Sequence, residues 1–206
     1  MDRKGKGSFI YENCIVQQHI EIKDKLTDLF TITPPDRVLE IGTSYGGLTI
    51  LLSDLLKEMQ LNHVPIRTYD IMLKGDLERL NKIDNITFSK HNIFNQHADR
   101  YDLVCDDAKK YITDPGRIII FADGGHKKHE FSCLSDYIKP GDVIMAHDYI
   151  ETKEIWERDY KDKIWNWCET EEKDIAEACE RNNLQPHMQD EMKQVVWACR
   201  IKADEQ

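Results

Sequence analysis

Five short apolar runs, each followed by polar residues, alternate with stretches of helical periodicity along most of the chain. The runs are residues 37–42, 66–71, 86–90, 118–122 and 143–146. Strands that alternate with helices form parallel sheets covered on both faces, since each crossover carries a helix back over the sheet. The order of elements therefore predicts an α/β fold with a doubly wound sheet.

Helices are predicted wherever apolar residues recur every three or four positions. The first covers residues 11–30 and ends before Pro34 and Pro35. Residues 101–107 fit either a strand that ends in acids or the start of a helix. The helical spacing of Val104, Ala108 and Tyr111 favours the helix. The other predicted helices are residues 48–59, 73–83, 127–138 and a last one ending near Asn182.

Two final apolar runs, residues 184–188 and 195–201, are separated by a few polar residues and predict an antiparallel hairpin. Together with the five earlier runs they give a mostly parallel, seven-stranded, Rossmann-like sheet with helices on both faces. A length of 206 residues suits a single domain. Residues 1–36 are expected to form a helical extension. Residues 149–170, rich in tryptophan and charge, are expected to form a lid, a packing element or a subunit contact in a homo-oligomer.

The charge balance restricts the classes of partner. Acids outnumber bases 38 to 28, which argues against a binder of duplex nucleic acid, because phosphate recognition needs a basic face. The chain has no apolar signal sequence at its start and no long apolar run, so neither export nor a membrane span is expected. Six scattered cysteines without a C-x-x-C pair predict free thiols in a reducing cytoplasm.

The first predicted strand runs into a glycine loop, E-x-G-x-x-x-G, that begins at Glu40 and contains Gly42 and Gly46. This spacing differs from the G-x-G-x-x-G of dinucleotide sites. The second strand is followed by Asp70, whose carboxylate can accept both hydroxyls of a ribose. The loop alone is equally consistent with a plain turn between strand and helix. With Asp70 added, a ligand that carries hydroxyls and positive charge is favoured.

Polar residues also follow the other strands: Asn92, Asp123, His126, His147 and Asp148. The carboxyl ends of parallel strands meet at one edge of a sheet, and ligands of doubly wound folds bind there. These side chains are therefore expected to surround one site.

The chain resembles the class I S-adenosylmethionine-dependent methyltransferases. Its motifs are V-L-E-I-G-T at 38–43, D-G-G-H at 123–126, K-P-G-D at 139–142 and H-D-Y at 147–149, after the pair Gln17 and Gln18. They are similar to the branch of cephalosporin-hydroxylase-like proteins and sugar O-methyltransferases. The resemblance implies that S-adenosylmethionine is the cofactor, with Asp70 on its ribose and Asn92 near its adenine. The cofactor-binding residues it implies are Glu40, Gly42, Thr43, Ser44, Gly46, Asp70, Asn92 and Asp123.

The chemistry of an oxygen acceptor needs a way to remove its proton. His126 and His147 suit a general base because imidazole titrates near neutral pH, and Asp148 is predicted to act with them. A second route is a divalent cation, Mg²⁺ or another metal, held by Asp123, His147 and Asp148 as the resemblance implies. A third interpretation makes Asp123 a cap of the helix that follows it.

The sequence thus predicts a methyltransferase that acts on a small molecule, on oxygen and with the optional help of a metal. The alternatives are a hydroxylase-like enzyme of the same fold, a non-catalytic binding subunit, a nicotinamide-dependent oxidoreductase and a nucleic-acid methyltransferase. The glycine spacing disfavours the oxidoreductase. The D-G-G-H sequence at 123–126 replaces the blocks that nucleic-acid methyltransferases carry there.

Overall fold

The computed structural model describes residues 7–94 and 104–204. Its strands are β1 Phe9–Tyr11, β2 Cys14–Val16, β3 Arg37–Ile41, β4 Ile66–Tyr69, β5 Ile86–Ser89, β6 Ile118–Ala122, β7 Val143–Ala146, β8 Tyr149–Ile150, β9 Thr170–Glu171, β10 Leu184–Pro186 and β11 Ala198–Lys202. Its α-helices are α1 Ile22–Ile32, α2 Gly47–Glu58, α3 Leu77–Asn81, α4 Asp106–Thr113, α5 Lys127–Ser135, α6 Lys153–Ile155, α7 Glu172–Arg181 and α8 Gln189–Met192.

Seven strands form the central sheet in the order β10-β11-β7-β6-β3-β4-β5. The strands β3 to β7 of this sheet are mutually parallel, and β11 and β10 add the antiparallel edge. The predicted fold class and the C-terminal hairpin are confirmed. Chain order reverses between β3 and β6, which are neighbours in the sheet, so this is the switch point where ligands bind in such folds.

The core lies on both faces of the sheet. Alternate residues of β6 point to opposite faces, as strand geometry requires. Ile119 and Phe121 pack in the cluster that contains α1 and α2, while Ile118 and Ile120 pack in the cluster of α4, α5 and α7. The sheet is therefore covered by helices on each side, and its polar strand ends form the exposed rim.

The predicted helix over residues 11–30 is wrong in its first half. Phe9 pairs with Val16 in a two-stranded hairpin, and the helix begins only at Ile22. Glu12 and Asn13 form the turn with φ angles of 47° and 62°. Two consecutive left-handed residues make the turn that suits a tight hairpin, and asparagine favours this conformation. The turn chemistry therefore outweighs the apolar spacing.

Two further boundaries differ from the prediction. The predicted helix at 73–83 is reduced to Leu77–Asn81, where the Asp76 carboxylate caps the first turn by accepting from the Arg79 N–H. The helix predicted from residues 101–107 begins at Asp106, and Val104 instead forms an antiparallel bridge with Phe94. Residues 101–103 lie outside the described residues.

Residues 149–170 pack on the domain at both ends. β8 pairs in parallel with β9, and Trp165 is buried against Ile150 and Val196. Trp167, two residues further, keeps 47% of its surface exposed. The segment thus has a packed base and an exposed indole beside the rim of the sheet. Within residues 7–94 and 104–204, no helix has the length and apolar character to cross a bilayer.

Candidate functional site

A cleft of about 930 Å³ opens at the carboxyl ends of β3, β4, β6 and β7. Nine residues predicted for the site line it: Gly42, Thr43, Ser44, Asp70, Asn92, Asp123, His126, His147 and Asp148. The hairpin side of the cleft is formed by Gly7, Ile15 and Gln17. The structure therefore brings together at one rim the groups that the sequence places at separate strand ends.

The glycine loop approaches the end of β6 closely. Gly42 has a φ of 95°, and a Cβ there would lie 2.2 Å from the backbone oxygen of Asp123. Only glycine fits both the left-handed backbone and this contact. The loop is fixed further by a hydrogen bond of 2.5 Å between the hydroxyls of Thr43 and Thr68. The backbones of Gly42 and Asp123 are therefore in close contact where β3 and β6 end.

The substitution Gly42→Ala is expected to destabilise the chain by about 2–4 kcal/mol and to abolish the cofactor binding that the sequence predicts, because the added methyl group forces the two strand ends apart. Gly125→Ala is the matched control. A Cβ at Gly125 meets no atom within 4 Å. Thermal unfolding and S-adenosylhomocysteine titration of both variants test this, and equal stability of the two variants would contradict it.

Asp70 is oriented by the loop that it faces. Its Oδ2 accepts from the Ser44 backbone N–H at 2.7 Å, and its Oδ1 accepts from the Met72 N–H at 2.9 Å. A carboxylate oxygen can accept more than one hydrogen bond. Asp70 therefore keeps acceptor capacity toward the cleft. Asn92 is held similarly, since its Oδ1 accepts from the Phe94 N–H at 3.0 Å.

Glu40 lies behind the cleft and does not line it. Its side chain is fully buried, and its Oε2 accepts from the hydroxyls of Thr49 and Thr68 at 2.5 and 2.6 Å. Burial raises the pKa of Glu40 from 4.5 to about 7, although the two hydroxyls favour the charged form. Gly46 is also set back from the cleft, where it adopts a left-handed φ of 77° at the start of α2. The structure thus gives both residues a supporting position.

The free energy of unfolding of the Glu40→Gln variant is expected to increase relative to that of wild type as the pH rises from about 5 to 8. The folded state holds a proton on Glu40 up to a pKa of about 7, whereas the unfolded chain releases it near 4.5. Wild-type stability therefore falls through this window, by about 3 kcal/mol in total, and the variant does not share the loss. Unfolding temperatures of both chains across the pH range measure this. A difference that is constant with pH would contradict it.

Asp123 and His147 form a hydrogen-bonded pair at the bottom of the cleft. The His147 Nδ1 lies 2.8 Å from the Asp123 Oδ1, and the Gln18 amide donates to the other Asp123 oxygen at 2.6 Å. Gln18 in turn accepts from the indole N–H of Trp197 at 2.9 Å. The pair is therefore positioned by a chain of hydrogen bonds that ends at Trp197, directly before β11.

The His147 ring is enclosed. It stacks on Trp197 with ring centroids 4.7 Å apart and meets the edge of Trp165 at 5.2 Å. Burial opposes its charge, but the carboxylates of Asp123 and Asp148 outweigh burial and raise the pKa of His147. Its Nε2 is buried and has no hydrogen-bond partner among the described residues. His147 therefore serves as a fixed, polarised element of the cleft floor.

Asp148 joins a buried ion pair. Its Oδ1 accepts from the Trp165 indole N–H at 2.6 Å, and its Oδ2 lies 3.0 Å from the Lys127 ammonium. The same ammonium donates to Glu169 at 2.8 Å. Burial raises the pKa of Asp148, but the neighbouring charges of His147 and Lys127 outweigh it, and the net shift is downward. Asp148 is thus an ionised group whose two oxygens already have partners.

His126 has a different environment from His147. It precedes α5, lines the cleft and is exposed to solvent. Its backbone N–H donates to Glu130 at 3.1 Å, and the Gly124 N–H donates to the other Glu130 oxygen at 3.0 Å. The D-G-G-H segment is therefore held by a buried carboxylate, and the His126 imidazole is left accessible to a ligand.

Comparisons with known proteins bear on the fold. No family model matches the chain, and no curated protein does. Among solved structures, CmcI with Mg and SAM is 15% identical, with a TM-score of 0.59 over 94% of this chain and 76% of that one. An O-methyltransferase family protein from Burkholderia thailandensis is 10% identical, with a TM-score of 0.57 over 90% and 56%. MycE methyltransferase with Mg and SAH is 15% identical, with a TM-score of 0.53 over 90% and 50%.

The chain has the class I methyltransferase fold. The strand order and these likenesses agree on it. The predicted resemblance is confirmed at this level, and the cleft lies at the switch point, where ligands of doubly wound folds bind.

The residues predicted as metal ligands do not fit a divalent cation in this methyltransferase fold. The Asp123 Oδ1 pairs with His147, whose pKa is raised, and the Asp148 Oδ2 pairs with the Lys127 ammonium. Positive charge beside these carboxylates disfavours a further cation there. Across the described parts of the chain, no group of three or more His, Cys, Asp or Glu side chains is arranged to hold a metal ion.

Lys127, Glu130 and Glu169 were not predicted as site residues from the sequence, and Trp165 was expected there only as part of a possible lid. Lys127 and Glu130 follow D-G-G-H directly, and their position at the start of a helix beside the rim is a usable signal. Trp165 and Glu169 come from the segment after β7, whose path along the cleft depends on its packing. Gln18 was identified only through the resemblance, and the structure gives it its contact with Asp123.

Proposed function

We propose that the chain is an S-adenosylmethionine-dependent methyltransferase that acts on an oxygen atom of a small molecule. The observation that carries this is the convergence, in one cleft of the methyltransferase fold, of an acceptor for ribose hydroxyls and an accessible histidine. Asp70 lies on the β4 side and His126 on the β6 side of the same cleft. The likeness to an O-methyltransferase family protein supports an oxygen acceptor.

The residues of the cleft fit the cofactor. The Asp70 carboxylate binds the ribose hydroxyls, and the backbone of Gly42 to Ser44 allows the close approach of the methionine part. Asn92 borders the adenine end beside the apolar side chains of Ile93 and Phe94. The bound cofactor supplies a methyl group on a positively charged sulfur. The carboxylates around the cleft favour that charge.

His126 is the proposed general base. It is exposed in the cleft, so an acceptor hydroxyl can reach it, whereas the His147 Nε2 is enclosed. His147 is fixed by its hydrogen bond to Asp123. Together the two side chains form the surface on which the acceptor lies. A positioned base contributes about 10²–10⁴-fold to proton transfer. Alignment of the reactants contributes more, and the rigid strand ends provide it.

The acceptor side of the cleft is aromatic. Trp165 and Trp167 meet edge to face with ring centroids 5.5 Å apart. Aromatic walls bind the apolar faces of rings and sugars. This composition and the size of the cleft support a small-molecule acceptor rather than duplex nucleic acid.

The proposal is tested by incubating the chain with S-adenosylmethionine carrying a deuterated methyl group and with fractions of a small-molecule extract. Mass spectrometry should find one compound that gains the labelled methyl group. The His126→Gln variant should transfer it about 100-fold more slowly. Binding of S-adenosylhomocysteine without transfer in any fraction would favour a non-catalytic binding subunit. Absence of binding would contradict the proposal.

A further inference from the structure

Lys127 places a buried positive charge beside the acceptor part of the cleft. The residue is 8% exposed, yet it lines the cleft. Its Nζ lies 3.0 Å from the Asp148 Oδ2 and 2.8 Å from the Glu169 Oε2. A buried ammonium is costly unless carboxylates pair with it. The chain therefore holds this charge in place between two acids.

The next residue shows that this arrangement is specific. Lys128 has a side chain that is 55% exposed, and its Nζ lies 3.4 Å from Asp174 on the surface. Both lysines belong to the first turn of α5, and of the two only Lys127 lines the cleft. The contrast makes Lys128 a natural control.

The Lys127 ammonium keeps one donor for a ligand. An ammonium has three N–H donors, and Asp148 and Glu169 take two. Among the described residues, no other acceptor pairs with the Nζ. Because Lys127 lines the cleft, an oxygen atom of a bound acceptor is the partner expected for the remaining N–H.

We propose that Lys127, held between Asp148 and Glu169, is the built-in cation of the acceptor site and that the reaction needs no metal. This rests on the proposed methyltransferase function. The acceptor hydroxyl gives its proton to His126, and the ammonium stabilises the resulting negative oxygen. A lone pair of that oxygen forms the bond to the methyl carbon. The carbon–sulfur bond breaks, and its electron pair remains on sulfur.

Mn²⁺ alone is the probe that tests this, since electron paramagnetic resonance measures its free concentration and no acceptor is needed. The wild-type chain with S-adenosylhomocysteine is expected to leave Mn²⁺ free at millimolar concentration. In Lys127→Met the carboxylates of Asp148 and Glu169 lose their partner, and Mn²⁺ affinity is expected to rise by a factor of at least about ten. The double variant with Asp148→Asn should lose that gain.

One control variant keeps the positive charge at position 127, and another removes the positive charge of the neighbouring Lys128. Lys127→Arg retains the cation and should bind Mn²⁺ no better than wild type, and Lys128→Met should also match wild type. Stoichiometric Mn²⁺ binding by the wild-type chain that Asp148→Asn removes would overturn the proposal, as would a folded Lys127→Met variant without any gain. If Lys127→Met does not fold, Lys127→Gln, which retains a polar group, replaces it. S-adenosylhomocysteine binding is measured in the same samples. If it is retained while the Mn²⁺ result contradicts the proposal, the role of Lys127 is wrong but the proposed function stands.

Discussion

Replacing Asp70 with asparagine is expected to lower the affinity of the chain for S-adenosylhomocysteine by a factor of about 100, since hydrogen bonds to a charged acceptor contribute roughly 1.5–3 kcal/mol each. The carboxylate offers free acceptor capacity to the ribose while it accepts from the N–H groups of Ser44 and Met72. An amide at this position turns an NH₂ group toward one of those N–H donors and also loses the charge. Equilibrium dialysis with labelled S-adenosylhomocysteine measures the change.

The control for this experiment is Asp84→Asn, which removes the same charge at an exposed position outside the cleft. It should leave the affinity unchanged. Both variants are expected to unfold cooperatively near the wild-type temperature, because asparagine has the size of aspartate. If Asp70→Asn binds within about two-fold of wild type, the ribose is not held by this carboxylate.

The second large effect is expected at Asp148. Asp148→Asn should lower the rate of methyl transfer by a factor of at least about 100, because the amide no longer pairs with Lys127 and the ammonium loses its position at the acceptor. The backbone at Asp148 has a φ of 54°, which asparagine tolerates well. The variant should therefore fold, and its affinity for S-adenosylhomocysteine should remain near the wild-type value.

Turnover of the acceptor found with the labelled cofactor measures this effect, and Asp162→Asn is its matched control. Asp162 is exposed and has a φ of 61°, so it tests the same substitution in the same backbone conformation away from the cleft. Full turnover by Asp148→Asn would show that the ion pair with Lys127 has no part in the reaction. Parallel loss of nucleotide binding would show that its role is in the cofactor site instead.

Much of the fold could be predicted because each central strand is a short apolar run with turn residues beside it. A strand such as Ile118–Ala122, buried on both faces, is apolar throughout, and the turn before it is marked by Pro115 and Gly116. The alternation of strand and helix then leaves few arrangements. The rim residues follow from the same reasoning, since the ends of parallel strands coincide.

The N-terminal hairpin could not be predicted from apolar spacing. Ile15, Val16 and Ile22 fit a helical period, yet Ile15 and Val16 lie in strand β2 of the hairpin and only Ile22 lies in α1. Short segments of this kind are decided by turn conformation and by packing against residues far along the chain. Gln18 is an example, because its partners Asp123 and Trp197 come from β6 and the end of the chain.

The site was predicted in its location but not in its pairings. Asp123, His147 and Asp148 do line one cleft. Their spacing in the sequence cannot reveal that His147 forms a hydrogen bond with Asp123 or that Lys127 forms an ion pair with Asp148. These contacts depend on side-chain directions at the start of α5. The contact between Asp148 and Lys127 is also the basis of our proposal that an ammonium group, and not a metal, lies at the acceptor site.

Titration calorimetry of the wild-type chain with S-adenosylhomocysteine, and separately with NAD⁺, tests the central claim most directly, namely that the strand ends form a nucleoside site for S-adenosylmethionine. A saturable one-to-one heat with S-adenosylhomocysteine and none with NAD⁺ is predicted. No heat with S-adenosylhomocysteine, or heat with NAD⁺ alone, would contradict it.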